Sequence, residues 1–203
     1  MQVENHKEEV PFGFYLEKFA AMAPEEAANR LGIPFENGKF TVTMLGTTYE
    51  ISHPAGEFSA NTDGIALKSL PARTFLLRYL LEGKPGGVTT EFKTFREMPW
   101  GELYIQPFTG RVLTRAAFTF GTRVGKFRAG AEKLGGIPLK YGDAGFEFAF
   151  LDNYRLRLIV WEGDDEFPPN AQLLYTDNFI DGFSAEDRVV AGDLLITTLK
   201  ALF

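Results

Sequence analysis

The apolar positions along this chain change their period several times, and each change marks an element. Phe12, Tyr15, Leu16, Phe19 and Met22 recur at spacings of three and four, the pattern of one buried helical stripe, which predicts a helix near 11–22. Pro24 suits a first helical position, Ala27, Ala28 and Leu31 extend it, and Gly32 followed by Pro34 stops it, so a second, shorter helix follows. From Lys39 the period becomes two. Phe40, Val42 and Met44 alternate with Thr41 and Thr43, and Tyr49 and Ile51 follow Gly46-Thr47, which predicts a β-hairpin over 39–52 that ends at His53-Pro54-Ala55-Gly56. His53 beside Pro54 is expected to be a solvated loop histidine.

Leu70 to Glu82 is the most apolar helical stretch, with Ser69 as its expected cap, Pro71 in its first turn and Gly83 at its end. The glycine-rich run Gly83-Lys84-Pro85-Gly86-Gly87 follows a helix and lacks phosphate-loop spacing, so it reads as a helix-ending turn. Phe92 to Trp100 reads as extended or irregular, Gly110 to Phe120 and Thr122 to Leu134 as helical, and Gly135-Gly136-Ile137-Pro138 as a firm stop. Phe146, Phe148 and Phe150 alternate, Asp152-Asn153 offers a two-residue turn, and Leu156, Leu158 and Val160 resume the alternation. This predicts a second hairpin over 146–161. Gln172 to Tyr175 is expected as a last short strand, and Ser184 as the cap of a final helix carrying Val189, Val190, Leu194, Leu195 and Leu199.

Together these elements predict an α+β fold, a single domain over 1–203 in which antiparallel sheet from hairpins is packed by several helices. With 203 residues and 20 Phe the chain has ample apolar area for a core. No apolar run approaches the ~20 residues of a membrane span, and the start lacks the layout of a secretory leader, so a cytoplasmic, membrane-free protein is expected. The absence of Cys excludes thiol nucleophiles, thiolate zinc and an iron–sulfur cluster held by the chain's own cysteines. No resident cofactor is expected. Only His6 and His53 supply imidazole, so any metal would be a divalent cation held by oxygen.

The net charge of −6 argues against nucleic acid as a partner. Its distribution is uneven. From 111 to 140 seven basic residues face one acidic residue, Glu132, and from 141 to 187 eleven acidic residues face Arg155 and Arg157. The densest point is Trp161-Glu162-Gly163-Asp164-Asp165-Glu166-Phe167-Pro168-Pro169. Carboxylates this close repel one another and call for solvent, cations or basic side chains. Two structural expectations follow: Trp161 is largely buried with Phe167 and Pro168 packed nearby, and the acidic segment pairs with Arg111, Arg115 or Arg123. A competing arrangement has Glu162, Asp164 and Glu166, with Asp177 or Asp181 closing the shell, around Ca²⁺ or Mg²⁺, although the EF-hand spacing is missing.

Leu80-Leu81, Phe95-Arg96-Glu97 with Pro99-Trp100-Gly101, Leu134-Gly135-Gly136 with Gly142-Asp143, Trp161 with Gly163 to Pro168, and Glu186-Asp187 occur in an order and spacing that resembles the domain of unknown function 3786 family. That family is uncharacterised and found mainly in anaerobic bacteria and archaea. The resemblance runs through most of the chain and implies a fold without supplying catalytic residues. Some relatives carry cysteine-rich iron–sulfur segments; this chain, without Cys, inherits no cluster from them.

The functional expectation is a non-catalytic accessory module that binds a small anionic ligand or a protein partner. Its candidate residues are Arg96, Arg115, Arg123 and Arg128 for an anion, and Trp161, Asp164, Asp165 and Glu166 on the acidic segment. The alternative is a hydrolytic or metal-dependent enzyme using the 162–166 carboxylates as acid and base. No serine elbow, dinucleotide fingerprint or His-Glu-x-x-His motif occurs. No catalytic residue is assigned.

Overall fold

The computed structural model describes residues 6–62 and 69–203, with side chains from residue 11 onward, so Met1 to Asn5 and the His6 imidazole lie outside the described residues. Backbone contacts group the chain into two compact units, Met1–Pro85 and Gly86–Phe203. Each is α+β with antiparallel hairpins and helices, the class the sequence predicts.

The first unit runs α1 (His6–Ala21), α2 (Pro24–Leu31), β1 (Phe35–Glu36), β2 (Lys39–Met44), β3 (Thr47–Ser52), β4 (Phe58–Ala60) and α3 (Leu70–Glu82). Gly32 adopts φ 67° and closes α2 with a left-handed cap. Strands β2 and β3 pair with Phe40 opposite Ile51 and Val42 opposite Tyr49. Their turn, Leu45-Gly46, holds both residues at positive φ, 47° and 73°, the geometry that matches strand twist in a tight hairpin. Alternation becomes burial as expected, with Phe40, Val42, Met44, Tyr49 and Ile51 inside, and Phe19 of α1 lies 5.9 Å from the Phe40 ring.

Two local readings change in this unit. Ser69 occupies the cap position of α3, but its side chain makes no capping hydrogen bond. The opposite end of α3 is served from a distance, because Arg30 Nη2 donates to Leu80 O at 2.6 Å and Leu81 O at 3.0 Å, satisfying carbonyls a helix end leaves open. His53 is half-buried rather than solvated. Its Nε2 lies 3.0 Å from Phe19 O and its ring meets Phe19 edge-on.

The second unit contains β5 (Phe92–Thr94), α4 (Ile105–Phe108), a π turn over Thr109–Thr114 leading into α5 (Arg115–Phe120), α6 (Val124–Lys133), β6 (Ile137–Leu139), β7 (Ala144–Leu151), β8 (Tyr154–Trp161), β9 (Asn170–Thr176), α7 (Phe179–Gly182) and α8 (Ala185–Ala201). Within it β6 pairs β7, β7 pairs β8, β8 pairs β9 and β9 pairs β5, all antiparallel. Phe146, Phe148 and Phe150 are buried, and Phe127 of α6 meets Phe146 edge-to-face at 5.6 Å. Phe95 stacks on Phe108 at 4.2 Å. Ser184 and Asp187 form the reciprocal cap of α8.

The tip of the β7–β8 hairpin does more than turn the chain. Asp152 Oδ2 accepts from Gly86 N at 2.7 Å, Asn153 Nδ2 donates to Gly86 O at 2.8 Å, and Asn178 Nδ2 donates to Gly87 O at 2.8 Å. Glycine-rich backbone outside any strand is thereby hydrogen-bonded by side chains. No helix among the described residues is long and apolar enough to cross a membrane.

Candidate functional site

Period two decides where the acidic segment begins. In β8, Tyr154, Leu156, Leu158 and Val160 point into the core, so Trp161 falls on the opposite face, with Arg155 and Arg157. The indole is accordingly 38% exposed, and Phe167 is 67% exposed. This corrects the expectation of a largely buried Trp161: the aromatic residues bracketing the carboxylates face outward, while Phe167 and Pro168 do lie near it.

Trp161 pairs with Asn170 across the β8–β9 junction, which makes 162–169 the loop between those strands. Three devices fix it. Asp164 Oδ1 accepts from Glu166 N at 2.9 Å and Phe167 N at 2.7 Å, and Asp164 N donates to Phe167 O at 2.9 Å, so this carboxylate is engaged in shaping the turn. Glu162 N donates to Asp143 Oδ2 at 2.8 Å, Asp143 N donates to Val160 O at 3.0 Å, and the Arg128 guanidinium donates to Asp143 O. Gly163 N donates to Gly121 O at 3.3 Å. Gly121 is needed there, because a Cβ would sit 2.5 Å from Pro169 Cβ and 2.8 Å from Trp161 O.

Trp161, Glu162, Phe167, Pro168, Pro169 and Asn170 line an open recess of about 460 Å³. Glu162 of this lining is exposed, as are Asp165 and Glu166 of the same loop. Among the described residues no ion pair joins Glu162, Asp164, Asp165 or Glu166 to any basic side chain, which corrects the expected pairing with Arg111, Arg115 or Arg123. The loop does lie against that region, but through the backbone of Gly121.

The arginines are placed elsewhere. Arg115 pairs with Asp193 and donates to Thr197 Oγ1 at 2.9 Å. Arg96 Nε lies 3.2 Å from Glu102 in an exposed pair. Arg123 is exposed at the start of α6, with its carbonyl accepting from Lys126 N and Phe127 N. Asp177 follows the far end of β9 from the loop, and the six strand steps of ~3.3 Å from Asn170 to Thr176 span roughly 20 Å. The strand therefore separates Asp177 from Asp164 and Glu166. Among the described residues no three His, Asp or Glu side chains gather as a metal site.

The paired counterpart to the loop is Glu147, on the outer face of β7. Its Oε1 accepts from Arg155 Nε at 2.5 Å and its Oε2 from Arg157 at 2.9 Å. Burial pushes the Glu147 carboxyl up, but the hydrogen bonds and charges of Arg157 and Arg155 together outweigh it and hold it below the usual carboxylate range. The Tyr154 phenol is pushed up to about 12, by burial first and then by Asp152 and Asp181.

Arg188 belongs to none of the patterns singled out in the sequence. It is 1% exposed, donates to Pro99 O, and lies 5.8 Å over the Phe95 ring, while its own carbonyl accepts from Tyr175 Oη at 2.7 Å. Burial lowers its pKa. The signal was present: Arg188 falls three and four positions before the buried Ala191 and Gly192 and seven before Leu195, on the apolar stripe of α8. This guanidinium ties down Pro99-Trp100-Gly101, where Trp100 is held at φ 63° and 72% exposed. It braces the fold and faces no recess described above.

The family model described as Domain of unknown function (DUF3786) matches residues 23–198 of the chain. No curated protein and no solved structure matches it.

Proposed function

The chain belongs to the DUF3786 family, and from that premise we propose that it is a non-catalytic binding module whose contact surface is the Trp161–Pro169 segment and whose partner there is a protein segment carrying basic side chains. One observation carries the reading: an exposed indole, an exposed phenyl ring and two prolines line an open recess beside acidic side chains that form no ion pair among the described residues. Indole faces attract guanidinium and ammonium groups, and large exposed aromatic side chains rimmed by charge are the usual anatomy of a recognition surface. An acid–base enzyme instead needs a sheltered pocket where ionisable groups converge on one substrate atom. The open recess supports the binding reading over the carboxylate hydrolase. An anionic ligand held by Arg96 and Arg115 is less favoured, since both are engaged by Glu102 and Asp193.

The test uses Trp161 as the reporter. The chain has two tryptophans, so the Trp100→Phe protein leaves one indole emitter. Titration with a peptide alternating arginine and leucine is expected to shift Trp161 emission to the blue, and a glutamate–leucine peptide is expected to leave it unchanged. Asp165→Asn with Glu166→Gln should weaken the arginine response. Equal responses to both peptides, or none to either, would remove the proposal.

A further inference from the structure

We infer that the basic partner of this surface is a second copy of the same chain, the two copies meeting about a two-fold axis; the inference rests on the binding reading above. Arg123, at the N-cap of α6, and Lys126, in its first turn, are exposed, and no ion pair engages them among the described residues. They are the positive counterpart of Asp165 and Glu166. The loop and the start of α6 adjoin in the second unit, because Gly163 N bonds to Gly121 O just ahead of Arg123, and Arg128 of α6 and Glu162 of the loop both bind Asp143.

A surface carrying adjacent patches of opposite sign is complementary to itself after a half-turn: each acidic loop meets the partner's basic helix, and the contact closes at two copies. Tyr141 is 59% exposed and adjoins Gly142, whose Cβ would stand 3.4 Å from the Trp161 indole, so Tyr141, Trp161 and Phe167 supply aromatic area that association would cover. Among the described residues these charges form no ion pair within one chain, and across the axis they find their complement.

Sedimentation velocity on the full chain at low salt, over a range of concentrations, tests this with two charge-reversed proteins. One carries Asp165→Lys and Glu166→Lys, the other Arg123→Glu and Lys126→Glu. The wild type is expected to dimerise with concentration. Each reversed protein alone should dissociate at least about tenfold more readily, because like charges then face each other. An equimolar mixture of the two should recover the dimer, since both contacts regain opposite signs. All four positions are exposed, and circular dichroism verifies folding; should either reversal unfold the protein, Asp165→Asn with Glu166→Gln carries the test and must weaken the dimer.

A wild type that stays monomeric, reversals that leave dimerisation unchanged, or a mixture that fails to recover it would each overturn the inference. If the arginine–leucine peptide still binds a monomeric wild type, the surface serves a foreign partner and only the self-association falls. If neither occurs, both readings fall.

Discussion

Two acidic places lie close together in sequence and are handled in opposite ways. On the outer face of the β7–β8 hairpin, Glu147 is shared between Arg155 and Arg157 and is largely covered. Just past the end of β8, Glu162, Asp165 and Glu166 stand in solvent with no ion pair among the described residues. The sequence counts all four as one acidic block. The fold neutralises the first place within the strand pair and leaves the second open, so a local charge count says nothing about which charges remain available to another molecule. What distinguishes them is register. Glu147 sits directly opposite Arg157, where cross-strand side chains meet, whereas loop residues have no obligatory neighbour.

The largest effect that would sharpen this contrast is expected from Glu147→Ala. It leaves two partly covered guanidinium groups without their acceptor, which costs about 1–3 kcal/mol after allowance for solvent around the arginines. Urea unfolding measures it, and a loss below the error of the fit would erase the distinction. Trp161→Ala comes next, at about 1 kcal/mol, since a partly exposed indole forfeits only part of the burial energy of an enclosed one. A loss near 4 kcal/mol would return Trp161 to the core.

Smaller still is Glu166→Gln, expected within about ±0.5 kcal/mol, as for a surface change away from any network. The same contrast has a pH signature. Glu147 has a folded-state pKa below its ordinary value of 4.5, so its contribution is present above that value and is lost as pH falls through the lowered pKa. Wild type and Glu147→Gln should converge in stability on acidification below pH 4.5, and a gap that persists at the acid end would contradict the pairing. The loop has a signature of its own. In Trp100→Phe protein, caesium should quench Trp161 more strongly than iodide, because the acidic rim concentrates cations.

Much of the fold was legible because its signals are local. Alternating Phe146, Phe148 and Phe150, the Asp152-Asn153 turn and the Ser184 cap each carry their information within a few residues. What was missed is pairing at a distance. Ile137-Pro138-Leu139 reads as a helix stop yet forms β6, because Gly145 to Glu147 of β7 offers it an edge. Phe92 to Thr94 becomes β5 only by pairing with Leu174 to Thr176. The site was half legible. The 161–169 segment stands out by its charge, whereas the outward face of Trp161 is written only in the parity of Leu156, Leu158 and Val160. Asp177 is near Asp164 and Glu166 in sequence but not in the fold, because β9 runs its full length between them.

The clamp at Gly86 carries one further consequence. A glycine-rich connector is where amide hydrogens are expected to trade with solvent fastest, since backbone outside regular structure opens at little free-energy cost. Here the Gly86 amide is held by the Asp152 carboxylate, and its carbonyl by Asn153. Its deuterium uptake should therefore lag behind that of Gly87 and follow the opening of the hairpin tip, making a single loop amide a clock for the integrity of the strands that deliver Trp161 to the surface.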